Sequence, residues 1–250
     1  MNESGQLGER FAVVGGGRAG LSISQALTES GWHLDGVYGR NTPPQLANQT
    51  DIVILAVPDG EIGSVASAIT PGKAVMLHLS GATGLDVLSP HAHVGSVHPL
   101  MSLPNPNTGA ARLRSGGYFA VAGHNRAGDV VASLGGKTIH INDVDRPLYH
   151  ATATIAANHL VALCAQVERL AKAVDVPFDA YLELMLTTLE NVMEHGPKAS
   201  LTGPAARGDV TTLARHLQAL GPEERGLYQA LASEAAAVAG REIDWGSLSQ

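Results

Sequence analysis

The run Phe11-Ala-Val-Val-Gly-Gly-Gly-Arg-Ala-Gly20 joins an apolar strand directly to Gly15-x-Gly17-x-x-Gly20, and few folds use that combination. Gly15 permits a tight turn, Gly17 lets backbone approach a diphosphate, and Gly20 lets the following helix pack close to the strand. Arg18 and Ala19 open that helix, whose amino terminus turns partial positive charge toward a phosphate. A glycine-rich turn alone is weakly diagnostic, so its flanks decide. Leu21, Ala26 and Leu27 recur as in an amphipathic helix that Gly31 stops, and His33 to Tyr38 reads as a second strand. The order is strand, turn, helix, strand.

In such a unit the end of the second strand selects the cofactor. An acid there accepts the ribose 2′-hydroxyl of NAD, whereas an arginine accommodates the 2′-phosphate of NADP. The strand ends Tyr38-Gly-Arg40-Asn41-Thr42, with Asp35 too early to serve. Arg40 can meet phosphate bidentately, Arg18 adds a second charge, and Asn41 and Thr42 add neutral donors. This pattern implies NADP, and the alternative for Arg40 is a solvated loop cation.

The 250 residues, 44% apolar, can bury one large core or two small ones. A net charge of −7 without a basic run argues against a nucleic-acid surface and for a small-molecule substrate. The single Cys164 excludes an internal disulfide, reads as a buried thiol, and suits a reducing cytoplasm. Met1 to Arg10 has no basic start or apolar stretch, so it is expected to be a frayed tail rather than a secretory signal. Ala151 to Val167, interrupted by Asn158, His159 and Gln166, falls short of the roughly 20 apolar residues of a membrane span.

Asp51 to Asp59 opens as a β-branched apolar run, as expected of a parallel strand covered on both faces. Ala74 to Leu79 is another, and Tyr118 to Ala122 and Lys137 to Ile141 are shorter ones. Pro99 to Gly117, with its prolines and glycines, is expected to be a flexible loop. Past Asp145 only helix signals follow. Asp145 is expected to cap a helix with Pro147 in its first turn, running about seven turns to Pro177. A second helix from Phe178 to His195 carries Leu182, Leu186, Leu189 and Met193 on one face, and Val210 to Leu220 and Glu223 to Ala239 supply two more. The fold expected is α/β: a doubly wound, mostly parallel sheet over residues 1–144, then an all-helical domain over 145–250. Its surplus of apolar helix faces suggests a homodimer.

Ligands of open α/β sheets bind beyond the carboxyl ends of the strands. That rule selects Val57, Pro58 and Asp59, then Ser80, Gly81 and Thr83, then His98. Hydride transfer to C=O leaves charge on oxygen, and a histidine needs no perturbation to supply a proton near neutral pH, so His98 is the candidate donor, against a structural role. His91 and His93 alternate but lack a third ligand at metal spacing, so no metal is expected. His150, Thr154 and Asn158 follow at i, i+4 and i+8 as a polar stripe, with Asn158 expected deepest. They either face the cofactor or bond locally. In Lys198 to Asp209, Arg207 suits a substrate carboxylate, and Asp209 is expected to cap the next helix.

These motifs resemble the Rossmann-like proteins whose carboxyl-terminal half is a helical domain of undefined function. The likeness runs through Gly15 to Gly20, Val57-Pro-Asp59, His78-Leu-Ser-Gly81, Ser96-Val-His-Pro-Leu100, Asp145 to Asn158 and Leu201-Thr-Gly-Pro-Ala-Ala-Arg-Gly-Asp209. Such proteins are similar to pyrroline-5-carboxylate reductases, deazaflavin-dependent NADP reductases and, more distantly, ketopantoate reductases and β-hydroxyacid dehydrogenases. The resemblance implies an NADP-dependent oxidoreductase with a helical dimer domain like the carboxyl-terminal domain of 6-phosphogluconate dehydrogenase; the catalytic candidates are His98, from its place at the sheet edge, and Asn158 and His150, from the polar stripe. Ketopantoate reductases and β-hydroxyacid dehydrogenases place a catalytic lysine four residues before the asparagine, where this chain has Thr154. Without that ammonium, an imine is slightly favoured over a carbonyl. A ketopantoate-reductase-like enzyme and a non-catalytic NADP-binding sensor are the alternatives.

Overall fold

The computed structural model describes residues 9–248; residues 1–8 of the expected tail lie outside them. The chain divides into two compact units, one ending at Ala157 and one beginning at Asn158. The change from strands to helices at Asp145 thus precedes the break between units, because the first unit keeps one more helix.

In the first unit the strands are β1 (Arg10–Val14), β2 (His33–Tyr38), β3 (Ile52–Leu55), β4 (Val75–His78), β5 (Val94–Pro99), β6 (Tyr118–Gly123) and β7 (Lys137–His140). They form one sheet in the order β2-β1-β3-β4-β5-β6-β7. The first five are parallel, β6 is antiparallel to β5, and β7 is parallel to β6. Every residue of β3 and β4 is buried, which is why β3 reads as an unbroken apolar run and β4 as one that only His78 ends, rather than as alternations.

Helices cover both faces. Ile23 and Leu27 of α1 (Arg18–Glu29) share one apolar cluster with Phe11, Leu77 and Phe119. On the other face, Ile62 and Ala66 of α2 (Ile62–Ala68) pack with Val53 and Met76. The expected loop at Pro99 to Gly117 instead contains α3 (Pro106–Leu113). Asn105 caps it by accepting the Thr108 N–H, and Pro106 begins it with a preset φ, so residues that signal a loop serve here as a helix start. α3 lies so close to α1 that a Cβ at Gly109 would collide with the Ser22 hydroxyl. α4 (Arg126–Ser133) and α5 (Arg146–Thr154) complete the unit. Asp145 precedes α5, but its side chain makes no capping bond, because the chain enters α5 from a 3-10 turn at Asp143–Asp145.

A π turn at Ile155–His159 follows α5, and α6 (Leu160–Ala173) continues from it. The expected seven-turn rod is therefore not uniform. In the second unit, α7 (Phe178–Ser200) bends at Gly196, whose φ of 77° no helix accommodates. A short α8 (Pro204–Arg207) interrupts the long connector, and α9 (Val210–Ala219) and α10 (Pro222–Val238) follow. Asp209 caps α9 as expected, accepting the Thr212 N–H at 3.0 Å. Glu224 is buried, takes Gln166 and Arg169 as donors, and so ties α10 to α6. Those donors hold its carboxyl below the usual carboxylate range, Arg169 most strongly. No helix of the described residues is long and apolar enough to cross a membrane.

Candidate functional site

The glycine turn sits where the strand order reverses, between β1 and β3, at their carboxyl ends. Gly15 has φ +117°, its N–H donates to the Tyr38 carbonyl at 2.8 Å, and a Cβ there would strike the Ala56 carbonyl. A Cβ on Gly20 would strike the Gly15 carbonyl, so α1 enters at the closest possible distance. Gly17 differs: nothing lies within 4 Å of where its Cβ would stand. Two glycines thus shape the turn and the third leaves open space at a helix amino terminus, which fits a diphosphate. Arg18 and Arg40 are exposed, and among the described residues neither is drawn into an ion pair, in contrast to Arg10, Arg126 and Arg146. The residues present therefore fit NADP. Val57 is half-buried beyond the end of β3, with Pro58 and Asp59 exposed after it.

Beside this turn, at the carboxyl ends of β4 and β5, a polar cluster is sunk into the first unit. His98 Nδ1 and the Tyr149 hydroxyl are 2.7 Å apart, with the two rings edge to face at 5.5 Å between centroids. His150 lies on the other side, 5.9 Å from the His98 ring. Both imidazoles close on Gly81, where a Cβ would come within 2.9 Å of each. His78 is fully buried; its Nδ1 accepts the Ser80 N–H at 3.2 Å, so Nε2 carries the proton and turns it toward the Gly84 backbone. His150 Nδ1 is buried without a partner among the described residues. Orphaned buried polar atoms are uncommon in native folds and point to a ligand or water.

Arg146, 2% exposed, supplies a permanent charge, donating to Asp143 at 2.6 Å and to the Ser96 hydroxyl at 2.7 Å. The spacing i, i+3, i+4 puts Arg146, Tyr149 and His150 on one side of α5. Burial chiefly, then the neighbouring His150, lowers His98 to about 4, and burial followed by Arg146 lowers His78 to about 4. The expectation of an unperturbed donor at His98 is corrected here: out of water the imidazolium is disfavoured, and the ring is neutral at pH 7.

Other expected positions fare differently. The Ser80 hydroxyl donates to Thr83 at 2.8 Å and accepts the N–H groups of Ala82 and Thr83, so it organises its own loop. Asn158, expected deepest, is exposed in the π turn, which breaks the phase of the stripe with His150 and Thr154. Thr154 is half-buried, and Arg207 is exposed at the end of α8. His91 bonds the Ala66 carbonyl while His93 packs against His124, so that pair does not converge. Sequence reasoning passed over Tyr149, Arg146 and His78; the helical spacing of the first two with His150 was the available signal. A cavity of about 510 Å³ lies at the opposite, amino-terminal edge of the sheet, ringed by Arg10, Lys73, Arg126, Asp51 and His93, and is remote from this chemistry.

Residues 38–104 match the model of a Rossmann-like domain, and residues 120–235 match a domain of unknown function, DUF2520. No curated protein matches the sequence. A proposed NADP oxidoreductase from Bacteroides fragilis shares the fold at 19% identity and TM-score 0.77, over 92% of this chain and 98% of that one. A protein from Thermotoga maritima does so at 23% identity and TM-score 0.71, with coverage of 92% and 98%. The pyrroline carboxylate reductase of Plasmodium falciparum, with NADP bound, aligns at 13% identity and TM-score 0.62, over 94% and 100%. At such identities the likeness establishes the fold. The chain thus matches a Rossmann-like domain and, after it, DUF2520, and it shares its fold with solved structures described as NADP-dependent enzymes.

Proposed function

We propose that the protein is an NADPH-dependent reductase of a small C=O or C=N compound that bears a carboxylate. The observation that carries this reading is the half-buried His98–Tyr149–His150 cluster standing at the same sheet edge as an open glycine turn. Gly15 and Gly20 shape that turn, Gly17 admits the diphosphate, and Arg18 and Arg40 meet the 2′-phosphate. Gly81 lets the two imidazoles approach the reacting centre. Bound NADPH supplies the hydride. His98 serves as the protonating side chain with His150 beside it, and Thr154 serves in substrate binding.

Loss of one phosphate-binding guanidinium removes about 1.5–3 kcal/mol, so Arg40→Ala should weaken NADPH binding at least about tenfold and leave NADH unchanged, as read by fluorescence titration. An unchanged NADPH constant would remove the 2′-phosphate assignment. Turnover of NADPH over keto acids, cyclic imines and oxidised deazaflavin tests the reaction. Tight binding with no turnover in any class would favour the sensor instead.

The helical unit is proposed to associate with a second copy of this chain. α7 has 23 residues and none is buried, while Leu184, Leu186 and Met193 are 61%, 62% and 87% exposed. A monomeric mass in solution scattering would count against it.

A further inference from the structure

Resting on the reductase reading, we propose that Tyr149 and His98 form a proton-delivery pair, phenol to imidazole to substrate oxygen, and that the group reduced is therefore a carbonyl. The geometry is a 2.7 Å contact between the Tyr149 hydroxyl and His98 Nδ1, with no competing acceptor for the phenol among the described residues. A neutral imidazole carries one proton. With the phenol donating to Nδ1, that proton resides on Nε2, the nitrogen left to face a ligand.

The groups around His98 come from four elements: His78 on β4, Arg146, Tyr149 and His150 on α5, Asp59 beyond β3, and Gly81 in the loop after β4. Burial first, then His150, and to a smaller degree Arg146 and His78 keep the ring uncharged, and Asp59 opposes them without prevailing. An uncharged imidazole is a feeble acid by itself. It becomes a competent one when Nδ1 receives a proton as Nε2 gives one, and Tyr149 is the group placed to supply it. Burial raises the phenol, so its proton is retained until a strong base draws on it.

The step balances as follows. The carbonyl carbon gains the hydride and its electron pair from reduced nicotinamide, and the C=O π pair moves onto oxygen. That oxygen takes the Nε2 proton and Nδ1 takes the phenolic proton; after product leaves, Nδ1 hands that proton back to the phenolate and water supplies a new proton to Nε2, which restores the starting tautomer. A developing alkoxide is basic enough to draw on a phenol of reference pKa about 10. A protonated imine already carries its proton and gains nothing from the pair. The slight preference for an imine that follows from Thr154 in place of lysine is outweighed because only a carbonyl oxygen, on becoming an alkoxide, uses the proton that the pair delivers.

Two measurements on the full chain test the proposal. Long-range 1H–15N correlation spectra, free and with NADP+, should show His98 as the neutral Nε2–H tautomer at pH 7, and Tyr149→Phe should shift that tautomer balance. An Nδ1–H ring, or no change in the variant, overturns the pair. With a keto acid as substrate, Tyr149→Phe should lower kcat about 10²-fold while the NADPH dissociation constant stays fixed, and His98→Gln combined with it should cost little more. An unchanged kcat in Tyr149→Phe overturns delivery yet leaves a working reductase. Faster turnover of cyclic imines than of keto acids overturns the carbonyl assignment. Absence of turnover with every substrate removes the reductase reading and the delivery role with it, while the spectra still judge the hydrogen bond.

Discussion

The two units bury their apolar residues to different degrees. In the first, β3 and β4 lie wholly inside and Phe11, Phe119, Ile23 and Leu77 have no exposed surface. In the second, the small buried cluster is Ala205, Ala232 and Ala236, and the long α7 contributes nothing to it. A doubly wound sheet closes its own core, because helices from one chain cover both faces. The helical unit leaves leucine and methionine side chains in water, so a chain can satisfy its helix periodicity without satisfying the hydrophobic surface which that periodicity creates.

Truncation gives the largest test of this contrast. Phe119→Ala should cost about 3–5 kcal/mol of first-unit stability in urea unfolding, whereas Leu186→Ala should stay within about 0.5 kcal/mol in a monomer. If Leu186→Ala becomes costly as protein concentration rises, the exposed face is covered by association.

Acid should separate the units next. His78 and His98 have folded pKa values of about 4 against an ordinary value of 6.5. Between those values the unfolded chain binds protons that the folded one refuses, so stability rises with pH there and is lost as pH falls from about 6.5 to about 4. Each shift corresponds to a loss on the order of 3 kcal/mol. Glu224 runs oppositely in position: its carboxyl is lowered, so its contribution stays intact above the carboxylate range and disappears only as pH falls through that depressed value. Unfolding followed by near-ultraviolet signal against pH should therefore show the first unit loosening before the second, and coincident losses would contradict this.

The smallest effect concerns two aspartates with similar sequence settings. Asp209→Ala should cost about 1 kcal/mol, since its carboxylate holds the Thr212 N–H. Asp145→Ala should cost little, because it caps nothing with its side chain. Equal losses in thermal melts would mean that the caps are not what distinguishes them.

What the sequence discloses follows the same division. β3 and, His78 apart, β4 were legible because burial on both faces favours apolar residues, and the glycine turn because Gly15 and Gly20 admit no side chain. α3 was hidden by Pro106 and Gly109, whose local signals also mark loops, although one begins the helix and the other lets it touch α1. His98 was found by its expected return to the carboxyl edge of the sheet and lies near the end of β5, but its neutrality depends on burial and on partners 50 residues and more away, such as His150. The exposure of Asn158 follows from a π turn, and one extra residue in a helical turn leaves no mark in a pattern of apolar spacing.

Gly17 and Gly81 finally divide what a geneticist could learn from single alleles. An alanine at 17 meets only open space and keeps an ordinary backbone angle, so on the reductase reading proposed above the allele would make an intact protein barred from NADPH. An alanine at 81 presses on two imidazoles at once, so its phenotype would reach the reaction centre with the nucleotide still in place. Paired, the two alleles would tell a cell's need for a bound nucleotide from its need for the chemistry done with it.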